Sequence, residues 1–339
     1  MFRRAQVRQI LTYQRDRDFT AYLKDLEAVL AEPKVRFHIK KLTLDWLRGV
    51  DKPTAAEWRL LWRLSSEPHL VSRIKTVSHN SPGWFDVLKQ EGVWNAWLTS
   101  KDESEIRHAV LLLSLPNLNK QRSAEIADLL APHFDGSLAW RNRFAEVVHM
   151  GQPHSSRKMF DLFMRAVREG WFDHAHENWW YFTVHIAEEA PAMAAEFLDV
   201  FVERWSNRFA AEQQTDFDTR QTEIPEQFIQ KLEERDSLAL ARTLSPRLAA
   251  IVQKFAETAK DGSVTDKIWG WKSFGSEHSF REALLGSLCR GIGKLAVEAP
   301  DELDNLSRPV EALPHETIAF LLLSAWAANP QRYADKAIT

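Results

Sequence analysis

The sequence predicts an all-α fold, an irregular α-solenoid built from stacked helical hairpins. Apolar residues recur at helical spacing over most of the chain, proline stands repeatedly between two such stretches, and strand signals are nearly absent. An irregular helical bundle is the alternative, because proline occurs at any helix junction. With 339 residues, 45% of them hydrophobic, the chain is long enough for either arrangement.

The helical spacing is clearest at residues 35–50, where apolar residues advance by three or four positions and form two stripes. A helix that is apolar on two sides must be packed on both, as in the middle layer of a stack. The first stripe is Val35, Ile39, Leu42, Trp46 and Val50, and the second is Phe37, Leu44 and Leu47.

Three motifs of the form Ser/Thr-x-x-Glu predict helix starts. A hydroxyl and a carboxylate at this spacing satisfy backbone amides that lack a partner in the first helical turn. The motifs begin at Thr54, Ser100 and Ser279.

The tripeptide Glu-Ala-Pro follows an apolar stretch twice, at residues 189–191 and 298–300. Proline is tolerated in the first turn of a helix and disfavours helical geometry in the residue before it. Each tripeptide therefore predicts the end of one helix and the start of the next, as do Pro153 and Pro330. Pro153 and Pro191 are 38 residues apart and Pro300 and Pro330 are 30 apart, lengths typical of two-helix repeats in HEAT- and TPR-like arrays, and the 109 residues between Pro191 and Pro300 have room for about three such units.

Two polar segments interrupt the helical pattern. Residues 206–226 are rich in Gln, Thr and Asp, and we expect a loop or hinge there. It separates an N-terminal helical array, residues 1–205, from a C-terminal array, residues 227–339. The second segment, residues 260–278, contains two tryptophans, so we expect it to fold back onto the helices.

The charges nearly cancel to a net of −3, which gives no indication of nucleic acid or an anionic membrane as a partner. Residues 1–50 have a modest basic excess, interpreted as a solvated helical face. The single cysteine, Cys289, excludes an intrachain disulfide and a thiolate metal cluster, and it fits a reducing compartment. Because no stretch approaches the ~20 apolar residues that span a bilayer, we expect a soluble, cytoplasmic protein with no membrane partner.

Two segments come close to catalytic motifs and depart from them. A phosphate-binding loop ending at Gly293 and Lys294 would need glycine at Leu288 and a hydroxyl at Leu295. A zinc-binding His-Glu-x-x-His motif starting at His176 would need a second histidine where Trp180 stands. We therefore expect neither catalysis nor a bound cofactor or metal.

A cluster of two imidazoles and two carboxylates lies within five residues of the sequence, at Asp173, His174, His176 and Glu177. A metal site is one interpretation. A polar connection between two helices is the preferred one, because metal ligands are usually fixed by two rigid elements.

Tryptophan is unusually frequent, with 14 residues. Trp46, Trp58, Trp62 and Trp205 stand at core spacing and are assigned to packing. Trp179 and Trp180 are adjacent in the sequence. Because adjacent residues of a helix point about 100° apart, we expect one of these two side chains to face a groove. The candidate partner-binding surface is formed by Trp171, His174, His176, Trp179 and Trp180.

Residues 32–61, EPKVRFHIKKLTLDWLRGVDKPTAAEWRLL, resemble helical segments that follow the nucleotide-binding module of large bacterial STAND-type NTPases, including antiviral sensors of the AVAST kind. Those proteins are much longer and have Walker motifs, which this chain lacks. The resemblance implies the helical sensor region of such a protein, which recognises a partner protein and does not hydrolyse ATP.

The leading hypothesis is therefore a helical-repeat interaction scaffold or sensor without catalysis, with a role in bacterial antiviral defence. The alternative is a nucleic-acid-binding or base-processing helical-repeat protein of the AlkD-like DNA glycosylase class. A continuous basic groove would favour that alternative, and the near-neutral charge disfavours it. A metal hydrolase using His174 and His176 ranks third.

Overall fold

The structure is a computed structural model, which describes residues 4–64, 82–173, 177–211, 224–266, 268–269 and 280–338. These residues form 17 α-helices and one short hairpin, so the predicted all-α class is confirmed. The stacking of the helices into a solenoid stays a prediction. None of the described helices is both long and apolar enough to cross a bilayer.

The chain divides into two compact units, Met1–Gly151 and Gln152–Thr339. The helices of the first unit are α1 (Arg4–Arg17), α2 (Phe19–Ala31), α3 (Phe37–Leu47), α4 (Ala55–Leu64), α5 (Pro82–Gln90), α6 (Val93–Leu98), α7 (Glu103–Leu113), α8 (Pro116–Leu130) and α9 (Leu138–Met150), with a 3₁₀ turn at Ala131–His133.

The second unit has eight α-helices in the residues that are described, together with 3₁₀ turns at Pro153–Ser155 and Glu177–Tyr181. The helices are α10 (Arg157–Arg168), α11 (Phe182–Glu189), α12 (Pro191–Ala211), α13 (Glu226–Lys254), α14 (Phe280–Glu298), α15 (Pro300–Ser307), α16 (Glu316–Ala328) and α17 (Pro330–Ile338). Between α13 and α14, β1 (Ala256–Thr258) pairs antiparallel with β2 (Val264–Asp266).

The division at Gly151 differs from the boundary expected at residues 206–226. Helix α12 continues to Ala211, so that segment begins with helical residues, and residues 212–223 lie outside the described part of the chain. Helices α12 and α13, which precede and follow the segment, pack against each other in the second unit. A separation into arrays at residues 206–226 stays a prediction.

The predicted proline junctions are confirmed. Proline is the first residue of α12, α15 and α17, and Pro153 opens the 3₁₀ turn that leads into α10. The residue before each of these three helical prolines has nearly the same non-helical backbone, with φ and ψ of −142° and 66° at Ala190, −143° and 62° at Ala299, and −134° and 70° at Asn329. The repeated Glu-Ala-Pro thus marks one kind of helix-to-helix junction.

The capping box predicted at Thr54 is confirmed at the start of α4. The Thr54 amide donates to Glu57 Oε2 at 2.8 Å, and the Glu57 amide donates to Thr54 Oγ1 at 3.3 Å. The motif at Ser279 lies outside the described residues.

A helix begins close to Ser100, as predicted, but the capping box predicted there is not formed. Helix α7 begins after Asp102, whose carboxylate accepts a 2.8 Å hydrogen bond from the Ser104 amide. The Ser100 hydroxyl instead donates to the Glu105 carboxylate at 2.8 Å. Aspartate is a strong N-cap residue, so it takes the capping role two positions after the serine.

The prediction that α3 is packed on two sides is wrong at the start of the helix. Leu44 and Leu47 are buried, but Phe37 and Ile39 are 49% and 42% exposed. Apolar spacing identifies residues that share a side of a helix, and neighbouring helices decide which sides are covered.

Residues 260–278 contain strand β2, which the sequence did not predict because each strand of the hairpin has only three residues. The expected return of this segment onto the helices is confirmed for Trp269. This side chain is 2% exposed, and its Nε1 donates to the carbonyl of Arg281 in α14 at 2.9 Å.

A buried carboxylate links three helices of the first unit. Glu57, which is fully buried, accepts hydrogen bonds from Arg15 Nε at 2.8 Å and from the Tyr22 hydroxyl at 2.9 Å. Burial, then the charge of Glu57, raises the pKa of Tyr22 well above its usual value, so the phenol stays a donor. Helices α1, α2 and α4 are thereby joined at one point.

Two ion pairs in the first unit join helices through residues that are 36 positions apart in the sequence. Arg63 pairs with Glu27 at 2.7 Å, 36 residues away. Arg122 pairs with Asp86 at 2.6 Å, also 36 residues away. These separations match the repeat length that the proline junctions indicate.

Candidate partner-binding surfaces

The predicted site residues lie between α10 and α11 in the second unit. Trp171 follows Gly170, which has a positive φ of 73° just after α10. The Trp171 side chain is partly exposed, and its Nε1 donates to Glu169 Oε2 at 3.1 Å. His174 and His176 lie outside the described residues.

Trp179 and Trp180 both belong to a cluster of aromatic rings. Trp180 is 2% exposed and packs edge to face on Phe201 at a centroid distance of 5.4 Å. Trp179 is partly exposed, and its ring centroid lies 4.5 Å from that of Phe172 and 4.9 Å from that of Trp180.

Trp180 therefore does not have the surface position expected of a partner-binding residue. Perpendicular packing, at 88° between the two indoles, lets adjacent tryptophans share one cluster. Partner binding through Trp171 and Trp179 stays a prediction.

Two charged side chains beside Trp180, those of Arg204 and Asp173, form an ion pair. Arg204 Nη2 donates to Asp173 Oδ2 at 2.6 Å, and Arg204 Nη1 donates to the carbonyl of Arg168. A cavity of about 20 Å³ adjoins this ion pair and Trp180. Such a volume holds about one water molecule and is far below that of a ligand site.

Gly170 leaves space for the Asp173–Arg204 ion pair, and we expect Gly170→Ala to destabilise the protein by crowding this pair. An added Cβ would lie 2.4 Å from Arg204 Nη2 and 2.6 Å from Asp173 Oδ2. This crowding and the strain of a positive φ should together lower the free energy of unfolding of Gly170→Ala by about 2–3 kcal/mol, measured by chemical denaturation.

Gly92→Ala is the matched control. Gly92 has a φ of 70°, and an added Cβ there would meet no atom within 4 Å. Backbone strain alone is expected to cost about 1–2 kcal/mol. Equal losses for the two variants would contradict the crowding at Gly170.

The larger concave surface lies in the first unit and is called the α4–α6 groove here. It has a volume of about 380 Å³, within the usual range for binding sites. Its apolar lining is Trp58, Trp62, Val93, Ala96 and Trp97, and its charged lining is Arg59, Arg63, Glu91 and Glu105.

Trp62 is the exposed aromatic residue of this groove. It is 43% exposed, whereas Trp58 and Trp97 are each 2% exposed. The Trp62 ring lies 5.7 Å from that of Trp58 and 6.3 Å from that of Trp97. The assignment of Trp62 to core packing is therefore wrong, because two buried indoles support one face of α4 and leave this ring partly open to solvent.

The charged lining forms ion pairs. Arg59 donates from Nε and Nη2 to the two carboxylate oxygens of Glu91, both at 2.8 Å. These hydrogen bonds lower the pKa of Glu91 and raise that of Arg59, so the pair stays charged at neutral pH.

Sequence reasoning missed this groove, although a local signal was present. The stretch WRLLWR, residues 58–63, repeats a Trp-Arg pair after four positions. Residues four apart share a helix face, so the stretch places two indoles beside two guanidinium groups on α4.

Within the described residues, no three His, Cys, Asp or Glu side chains converge as a metal site would require. His174 and His176, the histidines of the predicted cluster, are not among these residues.

No family model matches the chain, and no curated protein matches it. Among solved structures, the crystal structure of an engineered protein aligns with 99% of this chain and 90% of its own chain, at 11% sequence identity and a TM-score of 0.32. That TM-score is too low to support a conclusion about fold or function.

Proposed function

We propose that the chain is a helical-repeat interaction module, a scaffold or sensor that binds a protein partner and has no catalytic activity of its own. The observation that carries this proposal is the α4–α6 groove, in which the partly exposed Trp62 lies beside the exposed guanidinium groups of Arg59 and Arg63. Tryptophan and arginine are the residue types in which binding energy concentrates at protein interfaces.

The resemblance to STAND-type sensors supports the same proposal. Residues 32–61, on which it rests, include α3 and the part of α4 that contributes Trp58 and Arg59 to the groove. We extend the proposal to partner recognition in bacterial antiviral defence, in the cytoplasm.

A nucleic-acid-binding protein is the competing proposal. Phosphate recognition favours guanidinium and ammonium groups that are available to the backbone. The lining of the groove has two arginines, Arg59 and Arg63, and two glutamates, Glu91 and Glu105, and so lacks the excess of cations that a phosphate backbone requires, which supports a protein partner over a polyanion.

The test compares capture of a partner by Trp62→Ala and by the wild-type chain. Because Trp62 is partly exposed, we expect a change of less than about 1 kcal/mol in the free energy of unfolding. Removing an interface anchor is expected to weaken partner binding by about 2 kcal/mol or more, roughly thirtyfold. The measurements are thermal unfolding and affinity capture from the native host.

Leu138→Ala is the control, because Leu138 is 74% exposed and lies on α9 of the same unit. It should keep both stability and capture. Undiminished capture by Trp62→Ala would contradict a role of the groove, and loss of the captured material on nuclease treatment would favour the nucleic-acid alternative.

A further inference from the structure

The most exposed charged side chains of the α4–α6 groove are its two arginines, whereas Glu91 and Glu105 are less exposed. The side chains of Arg59 and Arg63 are 71% and 64% exposed, while those of their partners Glu91 and Glu27 are 16% and 45% exposed. A molecule that approaches from solvent therefore meets guanidinium groups before carboxylates.

The hydrogen-bonding capacity of the Arg59–Glu91 pair is also unbalanced. A guanidinium has five N–H donors, and the paired contact with Glu91 uses two of them. Both oxygens of Glu91 already accept a hydrogen bond from Arg59. A ligand that brings acceptors can use the remaining N–H donors of Arg59, and a carboxylate matches the planar guanidinium best.

The groove has open space beside these donors. An added Cβ at Gly92 would meet no atom within 4 Å, and Ala96, on α6, is exposed. Trp62 and Val93 offer apolar contact to a side chain that enters here.

We propose that the α4–α6 groove binds an acidic peptide segment that inserts one aliphatic or aromatic side chain against Trp62 and places a carboxylate on Arg59. This inference rests on the proposed function and names the chemistry of the partner. Arg59 and Arg63 lie one helical turn apart, so carboxylates on both sides of the anchor are within reach of a guanidinium.

The test is a selection of random-sequence peptides displayed on phage, with the full chain as the immobilised target. We expect enriched peptides to contain Asp or Glu around a Leu, Phe or Trp. A synthetic enriched peptide should bind about tenfold more tightly than its Gln-substituted counterpart, as the loss of a charge-assisted hydrogen bond implies.

Two variants and a control locate the binding. Trp62→Ala and Arg59→Glu should each weaken binding of that peptide about tenfold. Arg165→Glu should leave it unchanged, because Arg165 is 53% exposed and pairs with Glu169 on another surface, in the second unit. Thermal unfolding of each variant verifies that it is folded.

Each other outcome has a distinct meaning. Enriched peptides without acidic residues, or with affinity that Trp62→Ala and Arg59→Glu leave unchanged, would overturn this inference and leave the proposed function standing. Failure of the folded wild-type chain to enrich any peptide would overturn both. Competition by a single-stranded oligonucleotide for the groove would also overturn both and favour nucleic acid as the partner.

Discussion

Replacing Trp180 with alanine is expected to lower the free energy of unfolding by about 3–5 kcal/mol. Trp180 is 2% exposed and lies within 6 Å of the rings of Phe172, Phe197 and Phe201. Truncation leaves a cavity in a cluster of large rings, which cannot close without moving α10 or α12. The loss should appear in urea denaturation followed by circular dichroism.

Trp171→Ala is the matched control. This indole is partly exposed, and its Nε1 donates to the exposed side chain of Glu169. We expect a loss of about 1 kcal/mol or less. If Trp180→Ala is no more destabilising than Trp171→Ala, then Trp180 does not belong to the core.

The second large effect is expected for Glu57→Ala, which should cost about 3–5 kcal/mol of unfolding free energy. The substitution removes the acceptor of the Arg15 guanidinium, the Tyr22 hydroxyl and the Thr54 amide together. Donors that stay buried without an acceptor lose their hydration without compensation.

Glu27→Ala provides the comparison for Glu57→Ala, because Glu27 is a 45% exposed carboxylate that also pairs with an arginine, Arg63. Exposed ion pairs contribute about 1 kcal/mol at most, so its effect should be small. Similar stability losses for the two variants, measured by chemical denaturation, would show that the Glu57 network does not hold α1, α2 and α4 together.

Backbone chemistry is the part of the fold that the sequence predicted well. Proline has a fixed φ and no amide hydrogen, so Pro191, Pro300 and Pro330 start helices in the structure as expected. The capping box at Thr54 was predicted from its Thr-x-x-Glu spacing and is present in the structure. The Ser100 prediction failed because Asp102, a competing N-cap residue, stands two positions later.

Exposure was harder to predict, because it depends on neighbours that are distant in the sequence. Trp62 has the same core spacing as Trp58 but is 43% exposed, whereas Trp58 is 2% exposed. Periodicity shows which side of a helix is most apolar, but the positions of the other helices decide which side is buried.

The candidate site was missed for the same reason. Trp62 and Arg59 lie on α4, and Ala96 lies on α6, in segments separated by more than a helix. The prediction of a surface at Trp171, His174, His176, Trp179 and Trp180 instead relied on two adjacent tryptophans being too large to bury together. In the structure Trp180 is buried and Trp179 is partly exposed, and the planes of their rings are 88° apart.

The central claim, that the α4–α6 groove binds a protein, is tested most directly by a photo-crosslinking amino acid placed at position 96 of the full chain in its host. Ala96 is exposed and lines the groove, and position 138 on α9 serves as the control. We predict that irradiation links position 96, and not position 138, to a protein, and that Arg59→Glu abolishes the link. Crosslinks to nucleic acid, equal crosslinking from both positions, or none from position 96 would contradict the claim.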